Sequence, residues 1–515
     1  MTILTYLRFA VVALLCGLWF SAEPALAARP PSQPNIIIMM ADDLGWGDVG
    51  YNGHPKLQTP FIDELSETGV RFDRFYAAAP VCSPTRGSVL TGRHPFRYRI
   101  WSANVGHLPT REVTLAEILR RDGYTTGFFG KWHLGTLTID ENEGNRSGPL
   151  GFLNYSPPQL HGFEEVLATE SKVPTYDPHW VPSSGAADKG WWTPLSPEER
   201  REGNTHYRDP NGDRVRENLD GDDSAMLIQK TINFAANASQ SSKPFFAVVW
   251  FHAPHTPLVA GREMRGLYPA NSLLEQSYYG SISAMDSAIG QLRNWLVENR
   301  LADNTIIWFM SDNGPTTGKR YGGNFPGETA GLQGHKGTLW EGGIRVPSVL
   351  IWPAAIRPKQ IKEPVSTVDV LPTLLGLVGI DGSSELGRTY PLDGTSWAPH
   401  LRGLAVEPNR GVGFEFRYQL AWMRGRWKLL HLPDLSDPDL ADAAEHGQNP
   451  FDNLEYRLFD VEADPSERRD LAILHSELVN QLKGELTSWR QSVARSSTGA
   501  DYELMTPGKR FDNSE

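Results

Sequence analysis

Four short runs rich in apolar residues recur along the chain, and polar or charged residues follow each run directly. The runs span residues 35–40, 124–129, 244–251 and 304–310. Largely apolar runs of this length are typical of strands that are buried on both faces of a parallel sheet. Helical patterns lie between them, and the helix predicted at 273–300 has an apolar stripe along one face. The alternation predicts an α/β domain with a large, doubly wound, mostly parallel sheet flanked by helices.

The pattern changes after about residue 400. Short segments at 414–416, 420–423, 427–431 and 458–461 predict a small antiparallel sheet with tight turns between its strands. A final helix is predicted at 475–494. In the mature chain we therefore predict the α/β domain over residues 28–400, a smaller C-terminal α+β subdomain over 401–495 and a loose tail over 496–515.

Residues 140–223 show little regular patterning and are rich in proline, glycine and charge. Long irregular insertions of this kind are usually functional loops. Trp180, Trp191 and Trp192 lie within this one. Two interpretations of their rings stay open, because an aromatic face in such a loop either stacks on a sugar ring or packs the loop itself.

Residues 1–27 are predicted to form a secretory signal peptide. Arg8 precedes an apolar run over 9–20, and Ala25-Leu26-Ala27 offers a cleavage site of the small-residue type. The run is too short to span a bilayer comfortably, and no later stretch of the chain is long enough. We expect export to a bacterial periplasm or to the cell exterior, without a stable membrane anchor.

Charge and cysteine content narrow the functional classes further. The 515-residue chain has a net charge of −12, which argues against a nucleic-acid partner because such a partner calls for a basic surface. Because the chain as a whole is acidic, binding of an anionic substrate would need a local cluster of positively charged side chains. Of the two cysteines, Cys16 leaves with the signal peptide and Cys82 remains alone. An unpaired cysteine in an exported protein points to a special role.

Charged and imidazole side chains follow all four predicted strands. A doubly wound sheet gathers the carboxyl ends of its strands at one edge, where ligands bind. One group at this edge offers only hard oxygen donors, which suit calcium or magnesium and argue against zinc. Its members are Asp42, Asp43, Asp312 and Asn313.

A second group of side chains is cationic and suits a small tetrahedral oxyanion. Its members are Arg86, Lys131, His133, His255 and Lys336.

The stretch around Cys82 predicts the start of a helix. Ser83 is a good N-cap and Pro84 suits the first helical position. Cys82 would then lie just ahead of a helix N-terminus, where free backbone N–H groups favour an anionic ligand. Arg86 adds a permanent positive charge within one turn.

The pattern Cys-x-Pro-x-Arg over residues 82–86 resembles the signature of the type I sulfatases, which belong to the alkaline-phosphatase-like superfamily. Further segments are similar to that family's motifs and follow in the family's order. They are 40–45 (MADDLG), 130–135 (GKWHLG), 311–314 (SDNG), 335–338 (HKGT) with 341–343 (EGG), and 458–465 (LFDVEADP). The resemblance covers most of the mature chain, although 140–223 and 434–453 match no motif of the family.

The resemblance implies a hydrolase that converts sulfate esters to an alcohol and inorganic sulfate. In that family a maturation enzyme oxidises the cysteine to formylglycine, and the hydrated aldehyde is the nucleophile. The implied catalytic residues are Cys82, Arg86, Lys131, His133, His255 and Lys336. The implied ligands of one Ca²⁺ ion, with Mg²⁺ less favoured, are Asp42, Asp43, Cys82, Asp312 and Asn313. As proton donor, His255 is preferred to His252 because x-Pro follows it, as in the family's motif.

Two alternatives stay open. A phosphonate monoester or phosphodiester hydrolase would share the fold and the formylglycine signature. A chain whose Cys82 is never oxidised would be only a receptor for sulfated glycans. The expected substrate is a small-molecule or oligosaccharide sulfate ester, and export together with the tryptophan-bearing insertion favours a sulfated polysaccharide or a glycosaminoglycan fragment.

Overall fold

The computed structural model describes residues 33–146, 148, 150–182, 198, 200–320, 323–382, 390–404, 410–433 and 455–503. The predicted signal peptide, Trp191, Trp192 and residues 504–515 of the predicted tail lie outside these ranges.

The strands are numbered along the chain. They are β1 (Asn35–Ala41), β2 (Val70–Phe72), β3 (Phe75–Tyr76), β4 (Thr125–Lys131), β5 (Glu165–Thr169), β6 (Phe245–Trp250), β7 (Thr305–Ser311), β8 (Thr317–Arg320), β9 (Gly323–Pro326), β10 (Arg345–Val346), β11 (Ser348–Ile351), β12 (Lys359–Ile361), β13 (Val365–Ser366), β14 (Gly411–Phe416), β15 (Gln419–Arg424), β16 (Trp427–His431) and β17 (Arg457–Asp460). The α-helices are α1 (Pro60–Thr68), α2 (Cys82–Thr91), α3 (Leu115–Arg121), α4 (Asp223–Gln240), α5 (Arg262–Gly266), α6 (Leu273–Glu298), α7 (Glu341–Ile344), α8 (Val370–Val378), α9 (Ala398–Leu401), α10 (Ser476–Ser497) and α11 (Ala500–Glu503).

Eight strands form one large sheet in the order β12-β2-β11-β7-β1-β6-β4-β5. Strand β1 pairs in parallel with both β6 and β7, and β4 pairs in parallel with both β5 and β6. Strand β11 runs antiparallel to its neighbours β7 and β2. The four apolar runs therefore form the neighbouring strands β7, β1, β6 and β4, and the predicted mostly parallel sheet is confirmed.

Hydrophobic cores cover both faces of the sheet, which explains why its central strands are apolar without alternation. Ile36, Ile38 and Met40 of β1 pack into the core on one face, and Ile37 and Met39 pack into the core on the other. The predicted apolar stripe of α6 contributes to the second core. The parallel pairing of β1, β4, β6 and β7 places their carboxyl ends at a common edge, and the double burial stabilises these strands.

Two short stretches of the chain contribute strands to two different sheets. In the first, β10 pairs with β3, and β11 joins the large sheet. Pro347 lies between them and has no N–H group for a ladder hydrogen bond. In the second, β2 joins the large sheet, whereas β3 belongs to a three-stranded sheet with β10 and β13.

The C-terminal part forms a separate antiparallel sheet in the order β14-β15-β16-β17, as predicted. Helix α10 packs on this sheet through Leu482 and Leu486. A buried ionic cluster joins the sheet to α7: the Lys428 ammonium lies 2.9 Å from a carboxylate oxygen of Glu341 and 2.9 Å from one of Glu467. The domain boundaries near residues 400 and 495 stay predictions.

We expect Lys428→Met to lower the free energy of unfolding by about 3–5 kcal/mol, because it leaves Glu341 and Glu467 buried without their cation. Urea denaturation measures the effect. Lys243→Met, at an exposed lysine, is the matched control and should change stability by less than about 0.5 kcal/mol. If Lys428→Met is as stable as the control, the cluster does not hold the C-terminal sheet in place.

Candidate active site

The carboxyl ends of β1 and β7 place an oxygen-rich group at the edge of the large sheet. Asp42 and Asp43 follow β1 directly, and Asp312 and Asn313 follow β7 directly. The backbone N–H of Asp43 donates to a carboxylate oxygen of Asp312 at 3.0 Å, and the Asn313 amide donates to an Asp43 oxygen at 2.7 Å. All four side chains are buried. Asp43 has a φ of 67°, so the chain turns sharply there and aims this carboxylate into the group.

The chemistry of this group fits a hard divalent cation. All of its ligand atoms are oxygens, as calcium and magnesium require. The amide oxygen of Asn313 is buried and has no hydrogen-bond partner among the described residues. An unpartnered buried acceptor is costly, and a bound cation would satisfy it.

Three permanent cations surround the three carboxylates. The Lys131 ammonium lies 2.6 Å from an Asp42 oxygen, and the Lys336 ammonium lies 2.6 Å from an Asp43 oxygen. The Arg86 guanidinium lies 2.6 Å from an Asp312 oxygen and donates to the Lys131 carbonyl at 3.0 Å. Because the carboxylates are matched by these cations, the added charge of a divalent ion would leave the site positive and attractive to an anion.

Burial and these ion pairs shift the pKa values of two carboxyls, those of Asp42 and Asp312, in opposite directions. Burial disfavours ionisation of Asp42, but the Lys131 ammonium and nearby cations hold the pKa of its carboxyl well below the usual range. Burial raises the pKa of Asp312 to about 6, which leaves this carboxyl largely ionised at neutral pH. The oxygen group is therefore negative at neutral pH and available to a metal.

Cys82 lies against the oxygen group. Its Sγ atom is 3.5 Å from an Asp42 oxygen and 4.0 Å from an Asp43 oxygen. Helix α2 begins at Cys82 with Val81 as its N-cap, two residues earlier than predicted. Ser83 lies inside the helix and so is not its N-cap, and its hydroxyl accepts a hydrogen bond from the Arg146 guanidinium at 3.2 Å. Cys82 thus lies within the first turn.

The thiol of Cys82 is poorly suited to act as a nucleophile itself. Its side chain is buried, and burial raises the pKa of the thiol to about 12. A reactive cysteine needs the thiolate, which calls for a lowered pKa. The position is close to the acidic and basic groups, but the thiol has the wrong protonation state for direct attack.

The two predicted histidines differ in their surroundings. The Nδ1 atom of His255 lies 2.6 Å from the Thr256 carbonyl, so its Nε2 atom faces the site, 3.7 Å from an Asp43 oxygen. Burial lowers the pKa of His255 to about 3. Nε2 of His133 lies 2.7 Å from the Asn104 side-chain oxygen. Burial, reinforced by Lys131, holds the pKa of His133 well below its usual range.

His252, the other candidate for the proton donor, is committed to structural contacts. Its Nδ1 lies 2.8 Å from an Asp223 oxygen, and its Nε2 lies 2.8 Å from the Thr169 hydroxyl. The ring is fully buried. These contacts favour His255, whose Nε2 is directed into the site.

A C-terminal residue that sequence reasoning missed holds the loop bearing Lys336. The Gln419 side chain on β15 donates to the Gly337 carbonyl and accepts from the Leu339 N–H, both at 2.9 Å. Asn104 and Arg146 were also missed. No motif marks these residues, because common polar side chains on distant segments become neighbours only through the fold.

The structure brings every predicted site residue to one edge of the sheet, although their chemical roles stay predictions. The ligand atoms of Asp42, Asp43, Cys82 and His255 lie within 4.8 Å of one another. This group includes His255, which was predicted as a proton donor and not as a ligand. The oxygen set with Asn313 is the better match for a hard cation, because an imidazole nitrogen is a softer donor.

Comparison with known proteins gives a family match over most of the chain. Residues 34–380 match the family model described as Sulfatase. The chain is 33% identical over 480 residues to Arylsulfatase A of Bos taurus, covering 89% of this chain and 86% of the relative. It is 30% identical over 521 residues to Steryl-sulfatase of Rattus norvegicus, covering 86% of each.

Solved structures share the fold. The structure of Ps i-CgsB in complex with k-i-k-neocarrahexaose superposes with a TM-score of 0.70 at 27% identity, covering 93% of this chain and 98% of that one. The Phosphonate Monoester Hydrolase of Agrobacterium radiobacter superposes with a TM-score of 0.60 at 19% identity, covering 90% of this chain and 96% of that one. At that identity the second likeness concerns the fold alone.

In protein whose Cys82 is left as a thiol, we expect very slow reaction with a disulfide reagent. At pH 8 the mature folded chain should react at least about 10³-fold more slowly than the unfolded chain, since a raised pKa leaves little thiolate. The rate should climb as pH rises towards the thiol pKa. The guanidinium-unfolded chain is the control, and rapid labelling of the folded chain near neutral pH would contradict the buried position.

Proposed function

The chain belongs to the sulfatase family and is a sulfuric ester hydrolase, and we propose that it acts through formylglycine at position 82. One observation carries the proposal. A buried, neutral thiol lies at the start of α2, within 4.0 Å of two carboxylates of the oxygen group. Such a thiol is a poor nucleophile, whereas its oxidation product is a good one. When oxidised, position 82 supplies an aldehyde hydrate, whose first hydroxyl attacks sulfur and whose second allows sulfate to leave.

Lys131 and Lys336 bind the sulfate group in this proposal. Each ammonium is held within 2.6 Å of one carboxylate, which directs it towards the site. Charged donors placed in a buried site stabilise developing negative charge with little reorganisation. Arg86 has a positioning role, because its guanidinium bridges Asp312 and the Lys131 carbonyl.

His255 donates a proton to the departing alcohol in this proposal. Its Nδ1–H is used by the Thr256 carbonyl, so the proton for the leaving group is held at Nε2. Burial lowers the pKa of the ring to about 3 in the free protein. A bound sulfate ester adds negative charge beside the ring and raises that pKa, so that the acid form builds up with the substrate in place. His133, fixed by Asn104, supports position 82.

Asp42, Asp43, Asp312, Asn313 and position 82 would hold one Ca²⁺ ion. The unpartnered Asn313 oxygen and the all-oxygen protein donor set support calcium over zinc. When bound, the ion would lower the pKa of the hydroxyl at position 82 and neutralise part of the sulfate charge. Magnesium is the less favoured ion, since it dehydrates reluctantly and seldom fills an all-protein site.

The proposed substrate is a sulfated carbohydrate, and the proposed location is outside the cytoplasm. The solved structure of Ps i-CgsB, which holds a neocarrahexaose, supports a carbohydrate substrate by its likeness to this chain. Export and maturation of Cys82 by a formylglycine-generating enzyme rest on the predicted signal peptide and on the motif over 82–86. Within the described residues, no helix has the length and apolar character that crossing a membrane would need.

We expect para-nitrophenyl sulfate to be hydrolysed with a kcat/KM at least about 100-fold above that for phenyl para-nitrophenyl phosphonate, a difference of roughly 2.7 kcal/mol in barrier.

Cys82→Ala should lower the sulfatase kcat by about 10⁴-fold or more, as loss of a nucleophile does in other hydrolases. Mass spectrometry of the peptide containing position 82 confirms oxidation in the protein used. A preference for the phosphonate would contradict the sulfatase assignment, and an unmodified thiol in the native host would support the receptor alternative.

We expect EGTA to lower activity by at least about 100-fold, since the ion would activate the nucleophile. Added Ca²⁺ should restore the rate fully and Mg²⁺ only in part. Asn313→Ala should raise the Ca²⁺ concentration needed for half-maximal activity, whereas Asn233→Ala, at an exposed position on α4, should not. Full activity after exhaustive chelation would contradict a calcium site.

A further inference from the structure

A small cavity lies beside the proposed catalytic residues, and none of those residues lines it. It has a volume of about 230 Å³, and its lining includes Asn145, Lys172, Trp180, Thr205 and Pro257. Asn145 connects it to the site, because its side-chain amide lies 3.4 Å from Nε2 of His133. Drug-sized ligands need larger pockets, so this volume suits a single small ring.

Lys172 brings a positive charge to this cavity. It follows β5, whose last residue, Thr169, pairs with Lys131 at the end of β4. The two lysines therefore extend from neighbouring strands at the same edge of the sheet. Lys172 is partly buried and forms no ion pair or hydrogen bond with the described residues. This is unlike Lys131 and Lys336, each of which is paired with an aspartate.

Holding the Lys172 ammonium in this cavity costs free energy of desolvation, and a bound anion would offset that free energy. A partly buried charge without a partner is unfavourable. Burial, and then repulsion by Lys131 and Lys336, lowers the pKa of Lys172, and attraction by Asp42 and Asp43 offsets this only in part. The long-range influence of those two lysines agrees with the position of the cavity beside the proposed sulfate site. The cavity thus combines a confined volume with an unmatched cation.

The other walls of the cavity suit the face of a ring. Val173, Pro174 and Val181 are apolar and line it together with Trp180. The Trp180 ring is fixed by His179 at an edge, with ring centroids 4.6 Å apart, and by the Arg200 guanidinium 5.5 Å from its centre. A fixed aromatic side chain gives a large contact area at low entropic cost. The cavity therefore offers apolar contact as well as charge.

We propose that this cavity binds the alcohol part of the sulfate ester and that Lys172 pairs with a second anionic group on that part. The inference rests on the proposed sulfatase function and specifies its substrate as the sulfate ester of an acidic sugar. The second group is a carboxylate or a further sulfate, and both accept charge-assisted hydrogen bonds from an ammonium. In a chain with a net charge of −12, an unpaired cation here selects for such a substrate.

The test compares three aryl sulfates whose leaving group is a para-nitrophenol with or without one added anionic substituent. One is para-nitrophenyl sulfate, the second has an added ring carboxylate, and the third has an added ring sulfonate. For the wild-type enzyme with formylglycine at position 82, kcat/KM should be higher for a charged ring than for the neutral one. Lys172→Met should lower this ratio by about 10- to 100-fold, the value of a hydrogen bond to a charged group. Lys172→Arg should keep most of the preference for a charged ring.

The controls separate this inference from the proposed function. Lys243→Met removes an exposed lysine beyond the amino end of β6 and should leave the ratio unchanged. Glucuronate should inhibit para-nitrophenyl sulfate hydrolysis more strongly than glucose at fixed ionic strength, and Lys172→Met should remove the difference. A change that appears only with the carboxylate, or only with the sulfonate, identifies which anion Lys172 selects.

Two results would overturn the inference while leaving the sulfatase function intact. The first is hydrolysis of all three esters with equal kcat/KM by the wild-type enzyme. The second is an equal loss on all three in Lys172→Met, which would mean that Lys172 contacts the transferred sulfate. If oxidised enzyme hydrolyses none of the three, the sulfatase function fails and the inference fails with it.

Discussion

The mutual neutralisation of buried charges at one edge of the sheet is the constraint on which the site depends. Three aspartates that follow β1 and β7 would be prohibitively costly to bury alone. Arg86, Lys131 and Lys336 offset that cost through contacts of 2.6 Å each. The same groups that make burial tolerable are the ones that the proposed chemistry uses. We therefore expect that removing one member would disturb both the stability of this edge and the proposed chemistry.

The C-terminal sheet supports the site, although its residues are far from the site residues in sequence. Gln419 bonds the backbone on both sides of Thr338 and so fixes the loop that bears Lys336. Lys428 pairs with Glu467 and with Glu341, the first residue of helix α7, which follows the same loop in sequence. A motif such as His-Lys-Gly-Thr can thus supply a lysine, but contacts from a separate sheet hold the loop that bears it.

Much of this arrangement could be predicted from the sequence, because parallel strands buried on both faces leave a clear apolar signature. The strands β1, β4, β6 and β7 and the residues just after them follow from that signature. Contacts made by side chains of loops, away from the strand ends, could not be predicted. Ser83 was expected to cap α2, but it lies inside the helix, and its hydroxyl accepts a hydrogen bond from the Arg146 guanidinium. Asn104, Lys172 and Gln419 have no local pattern that marks them, and each acquires its place only from the packing of loops.

The most direct test of the account is a crystal structure of the oxidised protein grown with Ca²⁺, using anomalous scattering to locate the ion. We expect one calcium peak bound by oxygens of Asp42, Asp43, Asp312 and Asn313, next to formylglycine at position 82, with Lys131 and Lys336 facing the same small cavity. A peak held by His255 without Asn313, or no peak at this edge of the sheet, would contradict it.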